Sequence, residues 1–283
     1  MKKVNFLVAI AVAFGLTTLV SCNGDFSLGS NAAMTVTATD EAQVASMNDE
    51  VISSVEQYAQ DFENSSYQKV KSVVNVDSVL ITVDSSDPKV FPKVITIDFG
   101  TNGYIGKRGN VLKGKIIVTL SGRMALSGST RTITYDNFFI NDNQLKGSKI
   151  ITNNGLNTDI QPSMTTVAKD TIIRAADGKV VTWNSNRTRT RIDNNATPFV
   201  YWDDTFSITG STNGVNAKGI TYTNTIDETN PLIIIGGYPF FVKGKVIMES
   251  ENRSAVMDYG DGTKDNKATL TINGVTKAIN LKR

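Results

Sequence analysis

The fold class follows from one stretch of the sequence, Thr130-Arg-Thr-Ile-Thr-Tyr-Asp-Asn-Phe-Phe-Ile140, then Asn141-Asp-Asn143, then Gly147-Ser-Lys-Ile-Ile-Thr152. Both outer runs are rich in β-branched and aromatic residues, which is typical of β-strands. The Asn-Asp-Asn group between them is typical of a tight turn, because these side chains form local hydrogen bonds and tolerate left-handed backbone. The stretch therefore predicts two antiparallel strands joined by a short connection.

The same pattern of strand and turn extends over most of the chain. Short connections leave no room for crossover helices, so consecutive strands are expected to be antiparallel neighbours. The sequence predicts a mainly β protein, an antiparallel β-meander (a curved sheet, a sandwich or a half-barrel) with one N-terminal amphipathic helix. The other predicted strands are 78–83, 94–99, 116–121, 165–173, 179–192, 206–210, 220–226, 243–249 and 268–272, with predicted turns that include Asp177-Gly178, Thr212-Asn-Gly214 and Asn273-Gly274.

Residues 40–68 predict the helix. Apolar residues recur at steps of three and four, which indicates one apolar stripe, at Val44, Met47, Val51, Val55, Tyr58 and Phe62. Residues 22–68 hold eight acids and no base, whereas residues 69–283 hold the remaining 19 acids and 27 bases. The acidic side of the helix either faces solvent without a partner, which is the commoner arrangement, or docks on the basic remainder of the chain.

The first residues predict export and lipidation. A basic start, an apolar run from Phe6 to Leu16 and small residues after it are typical of a secretory signal peptide, here residues 1–21. Leu19-Val20-Ser21-Cys22 resembles the lipobox of bacterial lipoproteins, in which palmitate-type acyl chains are attached to the cysteine. Cys22 is the only cysteine in the chain. A flexible tether at 22–39, rich in small and polar residues, and a β-domain at 69–283 complete the predicted organisation.

The predicted location is the cell envelope. Two or three acyl chains hold a protein firmly on a membrane, so the membrane is the first predicted partner. Asn23 follows the lipobox cysteine, which resembles an outer-membrane sorting signal. We therefore expect a protein anchored to the outer membrane, on either its periplasmic or its cell-surface side.

The composition excludes several classes of chemistry. The chain has no histidine, so a Ser-His-Asp triad, a Cys-His dyad and an imidazole zinc site are excluded, and no cofactor is predicted. Nucleic acid is not an expected partner, because residues 22–283 hold 27 acids and 27 bases. Asp203-Asp204, beside Trp202, is a candidate carboxylate-based glycan site. However, adjacent strand residues point to opposite faces, and the pair is poorly placed to flank one bond.

Asn186-Arg-Thr-Arg-Thr-Arg-Ile192 alternates strictly, which puts Arg187, Arg189 and Arg191 on one face of a strand. One interpretation is an anion site for the phosphate or sulfate groups of a glycolipid. The commoner arrangement is a solvated face with acids on neighbouring strands.

Two further motifs are candidate sites. Asp258-Tyr-Gly-Asp-Gly-Thr-Lys-Asp265 partly resembles a calcium loop through Asp258, Asp261 and Asp265, but it departs from the EF-hand spacing, and a hairpin turn is favoured. Ser78 and Thr171 stand in Asp-Ser/Thr-aliphatic tripeptides, which resemble O-glycosylation sites of Bacteroidetes envelope proteins.

Several motifs together, among them Val94-Ile-Thr-Ile-Asp-Phe-Gly100, Arg131-Thr-Ile-Thr-Tyr135 and Met257-Asp-Tyr-Gly-Asp-Gly-Thr263, resemble a group of uncharacterised Bacteroidetes-type outer-membrane lipoproteins. The resemblance implies no activity. We expect a non-catalytic envelope lipoprotein whose β-domain binds a lipid, glycan or protein partner. One alternative is a lipid-handling half-barrel carrier of the LolA-like kind, motivated by apolar runs such as Leu232-Ile-Ile-Ile235. The other is a carboxylate-based glycan hydrolase.

Overall fold

The computed structural model describes residues 30–66, 73–76, 78–84, 87, 89–193 and 203–282. Within these ranges one helix precedes sixteen strands, which form a single sheet. The predicted mainly β class with one N-terminal helix is confirmed. The elements are α1 Ser30–Ser66, β1 Val73–Val76, β2 Val79–Val83, β3 Lys93–Asp98, β4 Tyr104–Ile105, β5 Val111–Leu120, β6 Thr130–Ile140, β7 Asn143–Leu156, β8 Pro162–Ile173, β9 Val180–Arg191, β10 Thr205–Val215, β11 Thr221–Ile226, β12 Leu232–Ile235, β13 Lys243–Ser250, β14 Arg253–Asp261, β15 Lys267–Ile272 and β16 Val275–Asn280.

The sheet is an antiparallel meander. Its strand order follows the chain from β1 to β16, except that β4 pairs only with β5, and β12 pairs with β10 and β13. Each predicted strand is present, whereas β1, β4, β12, β14 and β16 were not predicted. The predicted turn at Thr212-Asn-Gly214 is wrong, because these residues lie inside β10. Gly214 is needed there for close strand approach, since a Cβ atom would lie 1.9 Å from the Thr182 carbonyl oxygen of β9.

The sheet curves around α1. Every residue from Val44 to Glu56 is buried, and successive helical side chains point about 100° apart, so α1 is covered on all sides. A flat sheet covers only one side of a helix. Register shifts interrupt the pairs β5–β6, β6–β7, β7–β8 and β13–β14, and such bulges bend and twist strands.

α1 has two apolar sides rather than the single predicted stripe. Val44, Met47, Val51, Val55 and Tyr58 pack in a core with the half of the sheet from β2 to β9. Another core joins the opposite half of the sheet to a second side of α1, which consists of Met34, Ala38, Ala42 and Ala45. The alanines on that side leave space for the large residues of β10 to β16. The side chain of Phe62 lies outside the described part of the chain.

The helix begins ten residues before its predicted start. The prediction of a tether at 22–39 is therefore wrong for residues 30–39, because Met34 and Ala38 pack in the core and Asn216 donates a hydrogen bond of 2.8 Å to Thr37. Residues 1–29, which include the predicted signal peptide and Cys22, lie outside the described residues. In the ranges described, no helix combines the length and apolarity needed to cross a membrane.

Candidate functional site

The interface between α1 and the sheet is ionic as well as apolar. α1 carries seven carboxylates and no base. Among the described contacts are four with arginines of the sheet and its loops, which we call the helix–sheet ion pairs. They are Asp40 with Arg174 (3.0 Å), Glu41 with Arg187 (2.5 Å), Asp49 with Arg189, and Glu56 with Arg131 (2.9 Å).

These pairs decide between the two interpretations of the acidic helix. The expectation of a solvent-facing acidic side is wrong, and docking on the basic remainder of the chain is confirmed. The curved sheet leaves the middle of α1 no solvent-facing side. Of the other acids, Glu50 accepts a hydrogen bond of 2.7 Å from Asn110, and Glu63 accepts one of 3.1 Å from the backbone N–H of Met124.

The arginine stripe of β9 alternates as predicted, but it faces the helix. Arg187 and Arg189 are buried, so the expectation of a solvated face is wrong for both. Their guanidiniums lie 5.2 Å from the ring centroid of Trp183 and 5.0 Å from that of Phe206, respectively. Because α1 carboxylates already bind both, the predicted anion site is also wrong for these two residues. Arg191 is half-buried, with its nearest carboxylate oxygens 3.8 and 3.9 Å away on Asp193 and Asp204.

Burial dominates the electrostatics of α1. It raises the pKa of Asp40, Glu56 and Glu63, and the neighbouring arginines oppose this effect. Moving a charge pair out of water costs about as much as the pair's attraction returns, whereas removing one partner of a buried pair costs about 3–5 kcal/mol. The helix–sheet ion pairs therefore fix the position of α1 more than they add to stability.

A second buried pair lies within the sheet. Lys149 of β7 donates a hydrogen bond to Asp170 of β8, and both side chains are fully buried. Lys149 Nζ lies 5.7 Å from the ring centroid of Tyr135 and 5.8 Å from that of Trp183. Burial lowers the pKa of Lys149 and raises the pKa of Asp170, and each partner's charge opposes the shift of the other. Asn48 of α1 lies beside Asp170.

Asp203 and Asp204 lie in different environments, as expected of adjacent residues whose side chains point to opposite sides. Asp203 is exposed and Asp204 is buried. Burial raises the pKa of Asp204 to about 6, although Arg191 opposes the shift. This arrangement does not place two carboxylates on one surface. Trp202 and the aromatic residues just before it lie outside the described residues.

The acidic motif at the end of β14 forms turns. Asp258, Asp261 and Asp265 each accept a hydrogen bond from a backbone N–H two residues later, at 2.9, 3.1 and 3.0 Å. These bonds confirm the favoured hairpin interpretation. Within the described ranges, no group of three acidic, histidine or cysteine side chains is arranged to hold a metal ion.

The two predicted O-glycosylation residues differ in accessibility. Ser78 is exposed at the β1–β2 turn with a left-handed φ of 71°. Thr171 is half-buried inside β8, and Asp170 of its tripeptide pairs with Lys149. Ser78 is therefore the more accessible of the two, and its modification stays a prediction.

The cavities that the described residues enclose between α1 and the sheet are small. One cavity, of about 20 Å³, is lined by residues that include Asn48, Asp49 and Trp183, and another, of about 10 Å³, lies beside Phe240. The apolar run Leu232-Ile-Ile-Ile235, which motivated the carrier hypothesis, forms strand β12, and Leu232 and Ile234 pack in the core. Larger openings lie on the surface, such as a groove of about 500 Å³ lined by Tyr222 and Arg253.

α1 runs between two ends of the sheet, which we call proximal and distal. At the proximal end, Asp40 near the start of α1 contacts Arg174 in the β8–β9 turn and Ala217 in the β10–β11 turn. At the distal end, Glu63 contacts Met124 in the β5–β6 loop, which also bonds to the end of β7 through Gly128. Exposed aliphatic side chains at the distal end are Leu126, Leu156 and Ile160.

Several of these residues were missed by the sequence analysis. Lys149 lies two positions from buried Ile151 and four from buried Leu145, so strand alternation alone places it inward. The distal aliphatics carry no such signal, because single exposed apolar residues are normal. No protein-family model, no curated protein and no solved structure matches the chain.

The first prediction concerns the pair of Glu56 and Arg131. We expect Arg131→Met to lower the free energy of unfolding by about 3–5 kcal/mol, because it leaves Glu56 buried without its cation. The double variant Arg131→Met/Glu56→Leu should recover most of the loss. Urea denaturation measures both. Lys113→Met, which breaks the exposed pair with Asp142, is the matched control and should cost about 1 kcal/mol or less. Equal losses in the two single variants would contradict the prediction.

The second prediction concerns Asp204. Because its pKa rises from 3.8 to about 6 on folding, the folded state binds this proton more tightly than the unfolded state. Its contribution to the free energy of unfolding should therefore fall as the pH rises from 3.8 to about 6, and then level off. Urea denaturation across this range should show a shallower fall for Asp204→Asn than for the wild type. Asp203→Asn, at the exposed neighbour, is the control, and parallel curves for Asp204→Asn and the wild type would contradict the assignment.

Proposed function

We propose that this protein is a lipid-anchored outer-membrane lipoprotein, non-catalytic, whose β-domain binds an envelope partner through its distal end. The observation that carries the proposal is the backbone of Ile160, in the β7–β8 turn. This residue has a left-handed φ of 62° and a side chain that is 76% exposed. The left-handed φ is unfavourable for a β-branched residue, so an isoleucine at this position with its side chain in solvent points to a role outside the fold itself.

A second turn of the chain provides the comparison. In the β7–β8 turn, Asn157 accepts hydrogen bonds from its own turn, and Ile160 donates to the Asn157 carbonyl at 3.0 Å. The β10–β11 turn has the same bonds around Asn216, with Gly219 donating at 2.9 Å. Gly219 has a φ of 79° in the position that Ile160 occupies. The proximal turn thus carries the residue that suits this backbone, and the distal turn carries an exposed isoleucine.

The course of α1 supports the choice of the distal end. The predicted anchor, Cys22, precedes the start of α1 at Ser30 by eight residues, which reach about 28 Å at most. α1 begins at the proximal end, so an anchor on Cys22 holds that end near the membrane. The distal end then faces away from the membrane with Leu126, Leu156 and Ile160 exposed.

The packed interior favours partner binding over lipid carriage. In a half-barrel carrier the concave side of the sheet holds the acyl chain. Here that side holds α1, its apolar side chains and the helix–sheet ion pairs. The cavities that the described residues enclose there, of about 20 and 10 Å³, are close to the volume that one water molecule needs. An outer surface is therefore the better candidate for ligand contact.

The third prediction tests the anchor. Cys22→Ser removes the thiol that the acyl chains need, so the variant should lose incorporation of labelled palmitate and move from the membrane pellet to the soluble envelope fraction. Ser21→Ala, which keeps the thiol and a small residue before it, is the control and should stay in the membrane. An unlabelled wild type, or a Cys22→Ser variant that remains in the pellet, would contradict the anchor.

The fourth prediction tests the distal contact. We expect Ile160→Gly to raise the free energy of unfolding by about 1 kcal/mol, because glycine adopts this φ without a Cβ clash. The same variant should lose about tenfold or more in partner affinity, because a contact residue of this size contributes about 1.5–3 kcal/mol. Co-purification from solubilised envelopes of the native organism, followed by titration of the captured partner, measures the second effect.

The control for this experiment is Ile105→Ser, which removes an aliphatic side chain of similar exposure (69%) on β4, away from the distal end. It should leave partner capture unchanged. If Ile160→Gly is more stable and captures the partner as well as the wild type does, the distal contact is wrong and the anchor prediction still stands.

A further inference from the structure

Lys149 and Asp170 occupy adjacent antiparallel strands on one face of the sheet. The residue paired with Asp170 across the ladder is Gly147, two positions before Lys149. Diagonal neighbours of this kind lie close enough for long side chains to meet. Gly147 has no side chain to fill the space in front of Asp170, so the Lys149 side chain reaches the carboxyl group.

The surroundings of the pair exclude water. Both side chains are fully buried. The rings of Tyr135 and Trp183 flank the amine, and Asn48 of the enclosed helix lies beside the carboxyl group. In such an environment a charged pair is costly, and the proton of the ammonium moves readily along the hydrogen bond to the carboxylate. The directions of the two pKa shifts agree with this, since both favour the neutral forms.

We propose that Lys149 and Asp170 condense to an intramolecular isopeptide bond that joins β7 to β8. The neutral amine nitrogen of Lys149 attacks Cγ of the protonated Asp170 carboxyl group, and the new C–N bond forms as the C–OH bond breaks. One proton of the amine passes to the departing hydroxyl group, which leaves as water. The product is a neutral secondary amide, and no oxidant or other reactant is needed.

Two neighbouring features suit this step. The fold already holds the two groups in hydrogen-bond contact. The entropy cost of bringing two reactants together, which is a large part of the barrier to such reactions, is therefore avoided. The charge of Asp49 raises the pKa of Lys149 and so opposes part of the shift towards the neutral amine. Asp49 also lines the cavity of about 20 Å³, which is large enough for the water that is released.

The chain contains two matched pairs that lack this environment. Lys245 and Asp258 face each other on β13 and β14 at 3.3 Å, and Lys115 and Asp98 do so on β5 and β3 at 3.7 Å. Their side chains are 26–44% exposed. Water stabilises their charged forms, so these pairs should remain unlinked.

The fifth prediction is tested by peptide mapping of the folded, full-length wild-type protein after denaturation and tryptic digestion. Trypsin does not cut after an acylated lysine, so the expected product is residues 147–169 joined through Lys149 to residues 170–174, lighter by one water than the two peptides together. Lys149→Arg cannot form the amide, so its intact mass should exceed that of the wild type by the mass change of the substitution plus one water. The peptides of the two matched pairs serve as unlinked controls in the same digest.

A gel provides a second readout that needs no mass measurement. A protease site inserted in the β7–β8 turn separates Lys149 from Asp170 along the chain. After cleavage and full denaturation, the expected wild-type product is a single band of unchanged size, since the single cysteine allows no internal disulfide. The double variant Lys149→Met/Asp170→Leu removes both buried groups together and should yield two fragments.

Separate peptides 147–149 and 170–174 from the folded wild type would overturn the proposal. So would a loss of water that maps to Asp177-Gly178 or Asp261-Gly262 and reverses in mild alkali, because it would identify a cyclic imide instead. Neither outcome bears on the distal contact or the lipid anchor, which are measured separately.

Discussion

The whole structure depends on neutralising the carboxylates of a helix that carries no base. α1 brings seven acids into a space that the sheet closes on every side between Val44 and Glu56. An uncompensated buried charge costs several kcal/mol, so the sheet must present a cation or a hydrogen-bond donor wherever an acid turns inward. The helix–sheet ion pairs meet this requirement, because Arg131, Arg174, Arg187 and Arg189 come from β6, the β8–β9 turn and β9 and reach different turns of α1.

This constraint explains why the packing is specific. Apolar contacts tolerate sliding, and the alanine side of α1 could pack on the second half of the sheet in more than one register. If α1 moved along its axis by one turn, each carboxylate would lie beside a different group. All four arginines of the helix–sheet ion pairs would then lose their partners at the same time. The ion pairs therefore select one position for the helix, while the two apolar cores provide the free energy that holds it there.

Strand periodicity was enough to predict the meander, because each turn and each alternating run is a local signal. It could not predict which face of β9 is inside, since alternation fixes only that Arg187 and Arg189 share a face, and arginine is assigned to solvent by default. The opposite charges of residues 22–68 and 69–283 contained the missing information. The predicted turn at Gly214 is wrong for a related reason, because a glycine that a close neighbouring strand requires looks like a turn glycine in the sequence.

The same enclosed interior that demands ion pairs also changes the chemistry of a lysine and an aspartate. Lys245 and Asp258 lie on adjacent strands as Lys149 and Asp170 do, yet only Lys149 and Asp170 are fully buried from water. An amide between β7 and β8 would clamp the two long strands whose turn presents Ile160. A partner that pulls on this turn would load the hydrogen bonds of the hairpin in sequence, whereas a covalent bond midway along it stops that process. The proposed amide and the proposed distal contact would thus be mechanically related, even though each is argued from its own observations.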